Sequence, residues 1–188
     1  MYDKEDLREA LQTIRKGGVV LYPTDTVWGL GCDATNEKAV ARVYEIKRRA
    51  ESKALILLVD SVARVQNYVV DFPDVAYDLL DVAVSPTTII YDKAKNLPHS
   101  LVAEDGSIAI RVTSESFSNA LCAAAHVPLV STSANVSGEP SPGCFGEISP
   151  EIIEAVDYVV KFRQDDRTKS KPSSIIKLGA SGQVRVIR

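Results

Sequence analysis

The sequence is poor in the residues that most often perform nucleophilic or metal-dependent chemistry. Its 188 residues include two histidines, His99 and His126, neither with a second histidine or a cysteine at ligand spacing. The three cysteines, Cys32, Cys122 and Cys144, are scattered without a Cys-x-x-Cys pair. These absences argue against a zinc site, a disulfide framework and histidine-based nucleophilic catalysis. Unpaired cysteines also predict a reducing, cytoplasmic setting.

Long apolar runs and a signal-peptide pattern are also not found in this sequence. No stretch approaches the roughly 20 apolar residues that span a membrane, and the first residues do not form the basic-then-apolar pattern of a signal peptide. The net charge is −3, so the chain lacks the basic excess of a non-specific nucleic-acid-binding protein. With 45% hydrophobic residues, the composition predicts one globular domain over residues 1–188.

Two phosphate-binding loop patterns can be excluded. No Gly-x-x-x-x-Gly-Lys-Ser/Thr loop occurs, which rules out a P-loop nucleotidase. Gly29-x-Gly31-x-x-Ala34 has the spacing of a dinucleotide fingerprint, but Pro23 and further residues separate these glycines from the preceding strand. About 20 positions on, where the fingerprint needs an acidic ribose-binding residue, Lys47–Lys53 carries four cations and only one acidic residue, Glu51. We therefore reject a Rossmann-type site.

Apolar periodicity predicts alternating helices and strands, with no internal repeat. This order indicates an α/β fold with a twisted mixed β-sheet flanked by helices. The predicted helices cover 3–16, a segment capped by Asn36, a short segment after Ser61, 74–82, 115–125 and 149–156; the predicted strands cover 19–22, 54–59, 87–91, 107–112, 128–131, 158–160, 174–178 and 183–187.

The stretch Tyr22–Ala34 follows a buried strand and carries Thr24, Asp25 and Thr26 beside the only tryptophan, Trp28. Three short polar side chains in a shaped loop can bind a ligand or satisfy their own backbone. The residues alone leave both interpretations open.

Lys47, Arg48 and Arg49 end the second predicted helix. Cations at a helix C-terminus are stabilised by the helix dipole. One interpretation is therefore that these three side chains only form a solvent-exposed face. If the chain becomes extended after Lys47, however, Lys47 and Arg49 point the same way and Arg48 points out. Two convergent cations suit a triphosphate. Ser131–Gly138, rich in hydroxyl and amide side chains, either caps turns or lines a ligand pocket.

These stretches together lead to a family. Pro23–Gly31, Lys47-x-Arg49, Ile108–Val112 and Ser131–Gly138 resemble, in order and spacing, the YrdC-like threonylcarbamoyl-AMP synthases. The resemblance runs from the first helix to Arg188 and leaves no room for the extra C-terminal domain of longer members, which indicates the short bacterial form. It implies a YrdC-like fold, with the sheet and helices arranged around a central cleft.

The resemblance also implies an activity. Family members are nucleotidyltransferases that condense L-threonine, bicarbonate and ATP, with Mg²⁺, into threonylcarbamoyl-AMP and pyrophosphate. A partner transferase then moves the threonylcarbamoyl group onto a tRNA adenosine, giving threonylcarbamoyladenosine (t6A). This chemistry needs positioning and charge stabilisation rather than a protein nucleophile. Magnesium held mainly through phosphate oxygens is normal for such a site.

By similarity to the family, the site residues fall into two groups, with Lys47 and Arg49 also expected to be catalytic. Thr132 is expected between the two substrates. The expected ATP-binding residues are Lys47, Arg49, Ser133, Asn135, Ser141 and Arg188, and the expected threonine-binding residues are Thr26, Arg111, Thr132 and Ser173; no protein metal ligand is expected.

One departure from the family pattern affects a turn near the site. Members usually carry Trp-Pro-Gly-Pro before a threonine-rich strand, and this chain has Val84-Ser85-Pro86-Thr87 there. Losing a glycine and a proline changes the backbone conformations open to the turn. Any substrate contact made by the turn is therefore open to change.

Two rival functions remain open. One is a non-synthase paralogue of the YrdC/YciO type that binds nucleotide or RNA, including tRNA or double-stranded RNA, through Lys47, Arg49 and the basic residues of 161–177; its binding would weaken steeply with salt. The other is a carbamoyl-adenylate enzyme like the related domain of hydrogenase-maturation proteins.

Overall fold

The computed structural model describes residues 1–49, 55–179 and 182–188. Its helices are α1 Lys4–Arg15, α2 Glu37–Ile46, α3 Val62–Val65, α4 Val75–Asp81, α5 Ser116–Ala125 and α6 Pro150–Ala155, with 3₁₀ helices at His99–Leu101 and Phe145–Glu147. Its strands are β1 Val20–Tyr22, β2 Gly29–Gly31, β3 Ile56–Val59, β4 Thr87–Tyr91, β5 Ile108–Val112, β6 Leu129–Ser133, β7 Tyr158–Val159, β8 Ser174–Leu178 and β9 Val184–Val186.

The described strands form one mixed sheet in the order β7-β1-β2-β6-β3-β5-β4-β8-β9. The pairs β1–β7, β3–β5 and β4–β8 are parallel, and the other neighbours are antiparallel. The predicted α/β class and mixed sheet are confirmed. The predicted strand over 54–59 begins at Ile56 in the described residues, and Ala54 lies outside them.

The helices α1 and α2 begin where the sequence predicts, and a side chain caps each of them. The Asp3 carboxylate accepts from the backbone amide of Glu5, and the Asn36 carboxamide oxygen accepts from the amides of Lys38 and Ala39. Such caps satisfy amides that have no partner inside the helix. Ser61 precedes α3 as predicted, but its side chain makes no capping hydrogen bond.

The hairpin of β1 and β2 was missed, because Gly29-Leu30-Gly31 lacks the β-branched and aromatic residues that mark strands. Leu21 pairs with Leu30 in this hairpin, so the segment between Tyr22 and Gly29 is its connection. A Cβ on Gly31 would lie 2.5 Å from the Tyr22 ring and 2.8 Å from the Val130 carbonyl oxygen. Gly31 therefore allows close packing within the sheet and does not form part of a phosphate-binding turn.

Two core clusters cover opposite faces of the sheet. On β3, Leu57 belongs to the first cluster, with α2 residues such as Val43, and Leu58 belongs to the second, with Ile14 of α1 and Leu121 of α5. Neighbouring strand residues point to opposite faces, so one strand serves both cores. Each fully buried aliphatic side chain contributes about 1.5–3 kcal/mol, which makes this central region a rigid base for a site.

Candidate functional site

A cavity of about 370 Å³ opens on the sheet face opposite the first core cluster. Its size lies within the range of about 300–1,000 Å³ that is usual for small-molecule pockets. Of the ten predicted site residues, all but Lys47 and Asn135 line it; those that do are Thr26, Arg49, Arg111, Thr132, Ser133, Ser141, Ser173 and Arg188.

The cavity has an apolar floor that sequence reasoning missed. Ile56, Ala109 and Ile90 lie in register across β3, β5 and β4, and all three line the cavity. The alternation of apolar residues along β5 could have indicated that Ala109 belongs to this floor. Because Ile108 and Ile110 belong to the first core cluster, Ala109 and Arg111 must share the opposite, cavity-facing side.

Arg111 is buried at one end of this floor and is held by the connection of the β1–β2 hairpin, the opening hairpin. Its Nε lies 3.1 Å from Asp25 Oδ1, and its Nη2 donates to the Thr26 hydroxyl at 3.1 Å. Burial raises the pKa of the Asp25 carboxyl above its ordinary value, and the Arg111 guanidinium opposes that rise. The Nε and Oδ1 atoms form an ion pair without a hydrogen bond, so the guanidinium is held by charge on one side and by the Thr26 hydrogen bond on the other. A guanidinium held in this way and facing the cavity is suited to binding a carboxylate.

The three polar residues of the hairpin connection have different roles. Thr26 lines the main cavity. The Thr24 hydroxyl instead accepts from the Thr26 amide at 3.0 Å and donates to the Val27 carbonyl at 2.8 Å, so it orders the loop itself. Asp25 pairs with Arg111. The ligand interpretation therefore fits Thr26, and the local-backbone interpretation fits Thr24.

The basic segment after α2 folds differently from the conditional sequence prediction. The chain is not extended after Lys47: Lys47 remains helical and Arg48 is left-handed, with φ of 47°. The amide of Arg49 bonds to the Tyr44 carbonyl and that of Arg48 to the Glu45 carbonyl, which is the Schellman ending of a helix. Arg48 points outward and pairs with Glu151, but through this left-handed helix ending and not through the extended chain on which the prediction depended. Arg49 lines the cavity.

The Lys47 side chain points away from the cavity into Ser131–Gly138, the serine-rich turn. Its side chain is 1% exposed, and its ammonium group donates to the carbonyl oxygens of Ser133 and Asn135. Burial and the nearby Arg49 charge lower the pKa of Lys47 to about 8. Asn135 also faces inward and donates to the carbonyls of Val136 and Glu139. Three residues at the start of this segment, Ser131, Thr132 and Ser133, belong to β6 and line the cavity.

The other side of the cavity is built on β8 and the C-terminal segment. The hydroxyl of Ser173 lies 2.8 Å from that of Thr88 on β4, and both residues are buried. The Arg188 guanidinium donates to the Ser173 carbonyl at 3.1 and 3.2 Å. Thr88 thus orients Ser173, a predicted threonine-binding residue, although sequence reasoning did not single out Thr88. Arg188 is bound to Ser173 as well.

The altered turn lines a second cavity of about 290 Å³. Ser85, Pro86 and Thr87 lie there together with Asp25 and Val112. Asp25 therefore separates this cavity from the main one, where its partner Arg111 lies. The turn does not line the main cavity.

Two further features bear on what the chain can do. Within residues 1–49, 55–179 and 182–188, no group of three or more His, Cys, Asp or Glu side chains is placed to hold a metal ion. In the same described part of the chain, no helix is long and apolar enough to cross a bilayer.

The chain is similar to known proteins over most of its length. The Sua5/yciO/yrdC family model, described as "Telomere recombination", matches residues 12–188. Threonylcarbamoyl-AMP synthase from Xanthomonas euvesicatoria pv. vesicatoria (strain 85-10) is 39% identical over 163 residues, covering 85% of this chain and 87% of that protein.

Two solved structures share the fold. P. abyssi Sua5 complexed with L-threonine has a TM-score of 0.87 at 25% identity, covering 99% of this chain and 54% of that one. The present chain thus spans just over half of that Sua5. E. coli YciO has a TM-score of 0.85 at 26% identity, covering 99% of this chain and 89% of that one.

The family model matches nearly the whole sequence, and the Xanthomonas relative is similar over most of both chains. This chain belongs to the Sua5/YciO/YrdC family.

Proposed function

We propose that this chain is an L-threonylcarbamoyladenylate synthase, a nucleotidyltransferase that forms threonylcarbamoyl-AMP and pyrophosphate from L-threonine, bicarbonate and ATP. Its relative from Xanthomonas is named threonylcarbamoyl-AMP synthase, and the P. abyssi Sua5 structure holds L-threonine. One observation carries the proposal most strongly. A single cavity contains a fixed guanidinium, Arg111, and a second cation, Arg49, together with the hydroxyls of the serine-rich turn.

We assign the amino-acid end of the cavity to Arg111 and Thr26. The guanidinium would bind the threonine carboxylate, and Asp25 and Thr26 would hold that guanidinium in place. Ser173, oriented by Thr88, would contact threonine from the β8 side. Thr132 lies on β6, separated from β5 by β3 alone, which is about 10 Å across the sheet. That span suits a residue between the two substrates.

We assign the nucleotide end to Arg49, Ser133, Ser141 and Arg188, all of which line the cavity. Asn135 and Lys47 would act from behind the turn that carries Ser133. Charge-assisted hydrogen bonds from guanidinium groups to phosphate oxygens contribute about 1.5–3 kcal/mol each. The two guanidinium groups would hold the triphosphate in the orientation that the reaction needs.

The proposed chemistry requires no covalent bond to the protein. The threonine amine, once its ammonium form has lost a proton, attacks the bicarbonate carbon, and loss of water leaves a carbamate. A carbamate oxygen then attacks the α-phosphorus of ATP, and the bond to the β-phosphate oxygen breaks to release pyrophosphate. Negative charge accumulates on phosphate oxygens, where Arg49 and the hydroxyl groups stabilise it.

We propose that Mg²⁺ enters as the ATP complex. The main cavity offers hydroxyl groups and cations, and the nearby Asp25 carboxylate is paired with Arg111. Phosphate oxygens and water would then be its principal ligands, as is common for this ion. When bound, Mg²⁺ would neutralise part of the triphosphate charge.

The product would be an activated carbamoyl donor, and we propose that a partner transferase uses it to make t6A in tRNA. Three buried free cysteines agree with a cytoplasmic location for this pathway. An RNA- or nucleotide-binding paralogue is the second candidate, since E. coli YciO shares the fold. Local carboxylates already neutralise several basic groups of 161–177, namely Arg163 by Asp166, Lys169 by Glu147 and Lys177 by Asp105.

Pyrophosphate release from ATP and bicarbonate, with and without L-threonine, tests the proposal. We expect release only when all three substrates are present. Release without threonine would favour a carbamoyl-adenylate enzyme of another kind. Absent release, together with RNA binding that falls steeply with salt, would favour the binding paralogue.

A further inference from the structure

The ammonium group of Lys47 is saturated by the protein itself. Its Nζ lies 2.5 Å from the Ser133 carbonyl oxygen, 2.6 Å from the Asn135 carbonyl oxygen and 3.4 Å from Asn135 Oδ1. An ammonium group has three hydrogens and no acceptor, so these three oxygens account for its whole capacity. The side chain is 1% exposed and does not line the main cavity.

Lys47 both donates hydrogen bonds to the turn and accepts one from it. The Lys47 side chain donates to the turn, and the Lys47 backbone carbonyl accepts from the amide of Ser137 at 2.9 Å. The amide of Ala134 bonds to the Trp28 carbonyl of the opening hairpin. The turn is therefore fixed from two sides, by the end of α2 and by the hairpin.

Removing the ammonium group would leave buried carbonyl oxygens without a partner. Such groups are costly, so the peptide planes at Ser133 and Asn135 would rotate towards other donors. Ser133 lines the cavity while its carbonyl bonds to Lys47, so this rotation would misplace the hydroxyl.

We infer that Lys47 is a positioning residue that fixes the Ser133–Asn135 turn from behind, and that Arg49, not Lys47, meets the phosphates. This inference rests on the proposed nucleotide site. The Schellman ending of α2 explains how two cations only two residues apart take different roles. It directs Lys47 into the protein and Arg49 into the cavity.

Amide hydrogen exchange in the ligand-free protein tests the role of Lys47 without any substrate. In Lys47→Met we expect exchange at the amides of Ala134 and Ser137 to rise about tenfold or more, because the turn loses its anchor. Amides of the β4–β8 pair should be unchanged. The matched variant Arg49→Met should leave the turn amides as in the native protein. Unchanged exchange of these amides in folded Lys47→Met would overturn the inference.

A second measurement uses the native protein and so does not depend on whether Lys47→Met folds. With ¹⁵N-labelled lysine, the Lys47 ammonium resonance should keep its chemical shift when α,β-methylene-ATP binds. A large shift, or a coupling to phosphorus, would show that Lys47 binds phosphate and would overturn the inference. If the nucleotide fails to bind at all, the proposed function fails, and hydrogen exchange still decides the role of Lys47.

Discussion

Arg111 and Asp25 form an ion pair in which both side chains are almost fully buried, at 4% and 5% exposure. The guanidinium Nε and the carboxylate Oδ1 are 3.1 Å apart. The same guanidinium bonds to Thr26 and lines the main cavity, whereas Asp25 lines the second cavity behind it. The carboxylate thus fixes the direction in which Arg111 faces a substrate.

Arg111→Lys should weaken L-threonine binding roughly 10- to 100-fold, because an ammonium keeps the charge but loses the planar fork that binds a carboxylate and Thr26 together. Binding of an ATP analogue should change little. Isothermal titration calorimetry with each ligand measures both effects. Arg185→Lys, at an exposed cation of β9, is the matched control and should leave both affinities unchanged. Unchanged threonine affinity in Arg111→Lys would contradict the assignment.

Arg111→Met should raise the pKa of Asp25 further, because it removes the group that opposes the effect of burial. A raised pKa means that folded Asp25 keeps its proton at pH values where the unfolded chain has lost it. Between the ordinary aspartate pKa and the raised value, the free energy of unfolding therefore falls as pH rises. Urea denaturation across pH 4 to 7 should show a larger fall in Arg111→Met than in the native protein. An equal or smaller fall would refute this coupling.

Gly31→Ala should destabilise the protein by about 1–3 kcal/mol, because the added Cβ would lie 2.5 Å from the Tyr22 ring and 2.8 Å from a backbone oxygen. Gly179→Ala is the control, since its Cβ would meet nothing closer than 3.6 Å. Thermal or chemical denaturation compares the two. Equal stability of both variants would mean that the β1–β2 hairpin is not packed as described.

Arg48→Gly should be more stable than Arg48→Ala by about 1 kcal/mol, because the position after α2 requires a left-handed backbone. Both variants lose the exposed ion pair with Glu151, so their difference isolates the backbone effect. Denaturation of the two proteins under identical conditions gives that difference. Greater stability of the alanine variant would argue against the Schellman ending.

Most of the fold could be predicted from the sequence because its signals are local. Alternation marked β5, and capping side chains marked the starts of α1 and α2. The strand β2 could not be found this way, because Gly29 and Gly31 are placed there by what surrounds them in the sheet. Strand order also depends on contacts distant in sequence, which no local pattern records.

The sequence identified most residues of the site. It did not show which way their side chains point or what holds them. Residue types and spacing pointed to Lys47 and Arg49 alike, yet a single left-handed residue between them sends one inward and the other to the cavity. The support given by Asp25 and Thr88 was likewise hidden, because each acts on a residue that is remote in the chain. Tertiary contacts, rather than composition, decide which polar group faces the ligand.

The synthase assignment is tested most directly by identifying the product. The protein would be incubated with ATP, Mg²⁺, L-threonine and ¹³C-bicarbonate, and the small molecules analysed by mass spectrometry. We expect an adenylate that contains both threonine and the ¹³C label, formed together with pyrophosphate and absent when threonine is omitted. Failure to find this adenylate in a protein that binds ATP and threonine would contradict the synthase assignment, as would a labelled adenylate formed without threonine.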